Sequence, residues 1–217
     1  MSLVLRWFVR AFRKPPVIVF LVLLLGSCLT GYGIIYNIAA SHQSEINPNF
    51  LHFETDYVEV ELPKNWITFQ GKVQNTTGLF FSIVSYNPFT WAFFQFQFCD
   101  ENAKMFLLER LNLTDASQML QKIINDTYSE ILEKNSNVTR IFNENGTMTI
   151  SNLTAEYSII TLRNVPTETS NLHNITSLIA IHIDEKRLIY ISFTCDESNW
   201  SKESELFAII AKYLKLG

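Results

Sequence analysis

Apolar positions along the chain change period several times, and each change marks an element. Val17 to Tyr36 is 20 residues without a charge, and a helix of that length rises about 30 Å, the thickness of a hydrocarbon core. Residues 17–40 are therefore expected to cross a membrane once. Residues 41–56 are polar, hold Asn, Ser and Pro without a sustained period, and read as a linker. Phe53 to Leu62 reads as one strand-like run, apolar at Tyr57, Val58, Val60 and Leu62, and stops at Pro63; Trp66, Ile67 and Phe69 start another short strand. Residues 78–86 and 90–99 are two further strands, joined by a hairpin turn at Asn87-Pro88.

The helical period then takes over. Thr114 with Asp115 caps a helix to about Lys134, with Ala116, Met119, Leu120, Ile123, Ile124, Tyr128, Ile131 and Leu132 on one apolar face. Strand character returns over 137–142, 147–150 and 153–162, with Asn145-Gly146 as a hairpin turn. Two long strands, 175–183 and 187–195, flank Asp184-Glu185-Lys186. A last helix over 201–214 is expected to bury Leu206, Phe207, Ile209, Ile210 and Tyr213. Strands and helices do not alternate regularly, so the fold class is α/β of the α+β type: one N-terminal transmembrane helix, then a mainly antiparallel sheet covered by helices over 57–217. About 160 residues suffice for one domain with a core of its own.

Charge orients this arrangement. Arg6, Arg10, Arg13 and Lys14 precede the apolar segment, whereas all 21 acidic residues and 13 of the 17 basic ones follow position 40, a formal charge of −8 for that part. The basic arm, residues 1–16, is expected in the cytoplasm and the domain outside. Two readings of the arm stand: its charges only set orientation, or its amphipathic spacing lays it on the anionic membrane surface. Leu25-Gly26-Ser27-Cys28 also resembles a lipobox, which would make the start a processed signal lipidated at Cys28. Leu29, Tyr32, Ile34, Ile35, Tyr36 and Ile38 continue the apolar run beyond it and favour an uncleaved span. The acidic domain shows no basic stripe, which excludes a nucleic-acid partner.

Eight N-x-Ser/Thr sequons, at Asn75, Asn112, Asn125, Asn137, Asn145, Asn152, Asn174 and Asn199, all follow the apolar segment. Chance would give roughly three among 18 asparagines, so an N-glycosylated exported surface is expected. Asn75, Asn112, Asn137 and Asn145 fall in expected loops or caps and are the better candidates; Asn125 falls in the helical pattern. Cys99 and Cys195 each end a strand-like run and are each followed by Asp-Glu. They form one disulfide if those strands are neighbours, or are two buried apolar thiols.

Residues 57–69, with the core Val60-Glu61-Leu62-Pro63-Lys64-Asn65-Trp66, resemble the opening of PsbP-like domains, where a strand ends in Pro-x-x-Trp and leads into the next. The central helix and the closing strand-then-helix of residues 188–214 fit as well, so the resemblance covers roughly residues 50–216. It implies an α/β/α sandwich that serves as an accessory, assembly or docking module rather than an enzyme. The best-known members are associated with photosystem II; nothing here carries that role over, and the retained membrane segment differs from their lumenal targeting.

The chemistry-bearing residues are few. No HExxH, CxxC, GxSxG or phosphate-loop pattern occurs, and no cofactor is expected. His182 and Asp184 share a strand face, with His173 before the same strand, and the three are the candidate centre of a small-ligand or hydrolytic site. Asp100, Glu101, Asp196 and Glu197 would gather four carboxylates if the two Cys-Asp-Glu strand ends met. Phe89, Trp91, Phe93 and Phe94 are more aromatics than one strand face hides. They are either a wholly buried strand or an aromatic docking surface. The function expected first is a membrane-anchored, non-enzymatic accessory or docking module with the bilayer and a membrane complex as partners; the alternative is an extracytoplasmic ligand-binding or hydrolytic domain using His173, His182 and Asp184.

Overall fold

The computed structural model describes residues 36–38, 42–43, 48–87, 89–166 and 172–217. The expected span therefore lies outside the described residues except for its end, as do Arg6, Arg10, Arg13, Lys14 and Cys28. That end is a correction: Tyr36–Ile38 is strand β1, paired with β5. No helix among the described residues is long and apolar enough to cross a membrane.

Twelve strands are described. After β1 come β2 (His42–Gln43), β3 (Phe50–Glu54), β4 (Val58–Pro63), β5 (Ile67–Asn75), β6 (Gly78–Tyr86) and β7 (Phe93–Asp100). Helices α1 (Glu101–Leu111) and α2 (Ala116–Lys134) precede β8 (Thr139–Ile150), β9 (Leu153–Pro166), β10 (Leu172–Ile183) and β11 (Arg187–Asp196). Helix α3 (Trp200–Tyr213) and β12 (Lys215–Leu216) close the chain. An eight-stranded sheet has the order β1-β5-β6-β7-β11-β10-β9-β8, and a four-stranded sheet has the order β12-β4-β3-β2. Every described pairing is antiparallel, as hairpin-length connections allow.

The large sheet is the middle layer. Ala103 and Leu107 of α1 with Met119, Leu120, Ile123 and Ile124 of α2 pack on Ile179, Ile181, Leu188 and Tyr190 of one face. The other face, through Phe81, Phe94, Phe96, Ile191 and Phe193, packs on the small sheet and α3 by way of Val60, Leu62, Phe207 and Ile210. Phe193 stacks between Trp66 and Phe207 in this second core. Both faces are thus covered, in agreement with the expected sandwich of sheet and helices.

Three local expectations are corrected, and one helix had no expectation at all. The stretch 41–56 is not only a linker, since it contains β2 and β3, and Phe50 and Phe53 are buried. The single alternating run through Leu62 is a hairpin: Thr55 Oγ1 accepts from the amides of Tyr57 and Val58 and folds β3 back on β4. Asn145-Gly146 is not a turn, because β8 runs through it beside the 14-residue β9, with Asn145 opposite Ser158. The turn falls at Ser151 and Asn152, both with positive φ, the conformation that a two-residue hairpin demands. Helix α1 was not legible, since a lysine, Lys104, sits on its buried side beside Ala103 and Leu107 and breaks the apolar stripe.

Caps position both helices at the sheet. Asp100 accepts from the amide of Ala103 to start α1, and Asp115 from that of Gln118 to start α2, as Thr114-Asp115 predicts. Gly78 has φ 114°, and a Cβ there would collide with the Ala103 backbone and the Asp100 carboxylate. The β5–β6 turn therefore reaches the start of α1 only with glycine at 78.

Candidate functional site

Antiparallel register sorts the candidate residues to the two ends of the large sheet. At one end lie the β6–β7 turn, the start of β10 and the end of β11. At the other lie Gly78, Asp100, the β10–β11 turn and the β8–β9 turn. His173 is at the first end and His182 with Asp184 at the second, nine positions apart along β10, or roughly 30 Å at strand rise. The expected trio is therefore not one site. The four carboxylates are likewise separated: Asp100 is opposite Arg187 at one end of β11, and Asp196 ends the same strand at the other. Among the described residues no group of three or more His, Cys, Asp or Glu is gathered for a metal ion.

At the Asp184 end the geometry is closed on itself. Asp184 Oδ1 accepts from the amides of Lys186 and Arg187 at 2.8 and 2.9 Å, and Oδ2 lies 3.0 Å from His182 Nε2 and 3.3 Å from Arg187 Nε. Burial alone would raise this carboxyl, but the hydrogen bonds from His182, from the two amides and from the guanidinium outweigh it and hold the pKa down to about 2. His182 Nδ1 is 2.7 Å from the Thr154 carbonyl. Lys104, buried on α1, donates to the carbonyls of Asp184 and Glu185. These bonds tie α1, the β8–β9 hairpin and the β10–β11 turn together, a structural use of all the polar groups. Beside them lies a small cavity with apolar walls, including Ile150, Leu153, Ala180, Ile191 and Leu216, with His182 at its margin.

At the opposite end His173 Nδ1 lies 3.3 Å from Asp196 Oδ2, with the Trp91 ring 6.0 Å from the imidazole. Asp196 also accepts from the Ser198 amide at 2.9 Å. Burial opposes ionisation there, and the bonds from Ser198 and His173 nonetheless keep its carboxyl below the usual range. The β6–β7 turn is braced by Asn87, 5% exposed, whose Oδ1 accepts from the Phe89 amide at 2.9 Å and whose own amide donates to the Ala92 carbonyl. Phe89 on this brace is 83% exposed, whereas Trp91 is half-buried.

Phe93 and Phe94 correct the expected docking set. Strand β7 lies between β6 and β11 in the middle of a sheet covered on both sides, so Phe93 on one face and Phe94 on the other are both buried. The aromatic run is a wholly buried strand, and the surface part is Phe89. The disulfide is also corrected. Strands β7 and β11 are neighbours, but Cys99 is opposite Leu188 while Cys195 is seven positions further along β11, opposite Thr176. That separation, roughly 23 Å at strand rise, is far beyond disulfide reach. Both thiols are free and buried; burial, with Glu203 and Asp196 nearby, pushes Cys195 up to about 12, and burial pushes Cys99 up likewise.

None of the sequon asparagines is buried. Asn112, Asn125, Asn137, Asn145 and Asn152 are exposed and Asn75, Asn174 and Asn199 half-buried. Asn112 is the left-handed C-cap of α1 and Asn152 stands on the β8–β9 turn, whereas Asn145 is in an edge strand rather than a loop. The Asn125 side chain accepts from Arg140 at 2.7 Å, and Asn75 Oδ1 accepts from Thr77. A further pair escaped sequence reading: His52 Nδ1 lies 2.9 Å from Glu61 Oε1 across the β3–β4 hairpin. Their nine-residue separation becomes meaningful only once the turn at Thr55 is known.

No family model matches the chain, and no curated protein matches it. Among solved structures it is similar to the solution structure of cyanobacterial PsbP (CyanoP) from Synechocystis sp. PCC 6803, with a TM-score of 0.45 and 10% identity over 80% of this chain and 96% of that one. It is also similar to a crystal structure from Bacteroides thetaiotaomicron, with a TM-score of 0.37 and 18% identity over 74% of this chain and 45% of that one.

Proposed function

We propose that the chain is a membrane-anchored, extracytoplasmic, non-enzymatic module that docks on a membrane protein complex through the β6–β7 turn. The docking part rests on one observation above all: Phe89 is 83% exposed on a turn whose Asn87 side chain accepts from the Phe89 amide. Exposed aromatics are the residues from which interface anchors are drawn. The anchoring part rests on the charge asymmetry about the apolar segment, with the span shortened to residues 17–35 because Tyr36 begins a strand. Nineteen residues still reach about 28 Å as a helix. Exposure of five sequon asparagines and partial exposure of the other three suit an exported, glycosylated surface.

The test is isolation of the tagged full-length chain from its native membrane in mild detergent, with partner stoichiometry measured by mass spectrometry, for wild type and Phe89→Asp. A partner at fixed stoichiometry whose recovery falls at least about tenfold in the variant supports the reading. Wild-type chain recovered alone, under conditions that keep other membrane complexes intact, sinks it.

A further inference from the structure

The large sheet differs from one edge to the other. Strand β1 borders it on one side, with Tyr36 opposite Gly71 and Ile38 opposite Phe69. Strand β8 borders it on the other, roughly 33 Å away across the intervening strands. Charge follows the same division. No Asp or Glu occurs from Leu62 to Cys99, a stretch that holds β5, β6 and all of β7 but its last residue, whereas Lys64 and Lys72 are both exposed there. In the other half Glu144, Glu156 and Asp196 lie on strands, with Asp184 and Glu185 on the β10–β11 turn. Sequons divide likewise: only Asn75 lies on β5, β6 or β7, while Asn145 is on β8 and Asn137 and Asn152 are beside it, all three exposed. Asn75 itself is half-buried, its Oδ1 accepting from the Thr77 amide at 2.8 Å.

We propose that the β1–β5 edge is the surface on which the domain rests against the lipid head groups, with the β8 edge turned away from the membrane. The inference rests on the anchoring reading above, in which the apolar segment ends at residue 35. Tyr36 comes next and is already paired with Gly71, so no slack separates the bilayer from β5. Gly71 then stands one strand spacing, about 4.8 Å, from the place where the chain leaves the membrane. Anionic head groups attract lysine and repel carboxylates. An edge with Lys72 and without an acidic residue suits that contact, and the acidic half of the sheet is carried clear of it. N-glycans are bulky and need room in water, which the far edge offers at Asn145.

The experiment uses the full-length chain with Cys28→Ser, reconstituted in vesicles of phosphatidylcholine and phosphatidylglycerol that include a lipid with a nitroxide on its head group. A fluorophore is attached at Gln74→Cys on β5 or at Thr149→Cys on β8. Both positions are exposed, where substitution costs little stability, and Cys99 and Cys195 are buried. Flotation with the vesicles is measured on the same samples. Quenching at position 74 should be at least about threefold stronger than at position 149, because roughly 33 Å separates the two edges. Equal quenching, or stronger quenching at 149, in chains that float with the vesicles overturns the inference and leaves the anchor standing. A chain that does not float with the vesicles overturns the anchoring reading, and the inference falls with it.

Discussion

The two ends of the large sheet hold similar residue types, histidine, aspartate and a tight turn, and use them differently. At the Asp184 end each polar group is spent on another part of the fold: Asp184 on its turn and on His182, His182 on Thr154, and Lys104 on two carbonyls. At the Phe89 end the turn is equally well braced, yet what the brace presents is an apolar ring in solvent. A His–Asp pair is therefore a poor guide to function when its remaining valences are satisfied internally.

The contrast predicts unequal responses to substitution. Gly78→Ala should have the largest effect, about 3 kcal/mol or more lost in urea denaturation, because a side chain at φ 114° collides with the start of α1. A loss under about 1 kcal/mol would mean that this end is not rigid. Lys104→Met should lose about 2–3 kcal/mol, leaving the Asp184 and Glu185 carbonyls without their charged donor.

Asp184→Asn should lose about 1–2 kcal/mol near neutral pH. The folded carboxyl is held down to about 2, below the roughly 3.9 of an unfolded aspartate, so its contribution is complete above about pH 5 and is lost as pH falls toward 2. Midpoints measured from pH 7 to 2 should accordingly fall more steeply for wild type than for the variant; parallel curves would remove Asp184 from the account. At the other end Phe89→Asp should change stability by no more than about 0.5 kcal/mol, since the ring packs on little. Finally, an alkylating reagent should leave Cys99 and Cys195 unlabelled in the folded protein and label both on unfolding, because burial keeps both thiols protonated.

Legibility followed how local the signal was. Strand β6 and the long helix α2 with its Asp115 cap were readable, because period and capping act within a few residues. Helix α1 was hidden by Lys104, whose burial is reasonable only beside carbonyls 80 residues away. The Asn145-Gly146 pair misled because its local turn preference yields to an uninterrupted partner strand. Cys99 and Cys195 looked alike in sequence; only the strand register separates them.

By itself the sequence determined the charge asymmetry, the strands β5, β6, β7, β10 and β11, the helices α2 and α3, and the covered antiparallel sheet, since burying alternating and 3.6-period apolar faces leaves few other arrangements. Tertiary structure decided which aromatics are surface, that His173 and His182 lie at opposite ends of the sheet, and that His52 meets Glu61. Those are matters of register and layer, and a shift of one residue in strand pairing would exchange the faces of a strand without altering its local pattern.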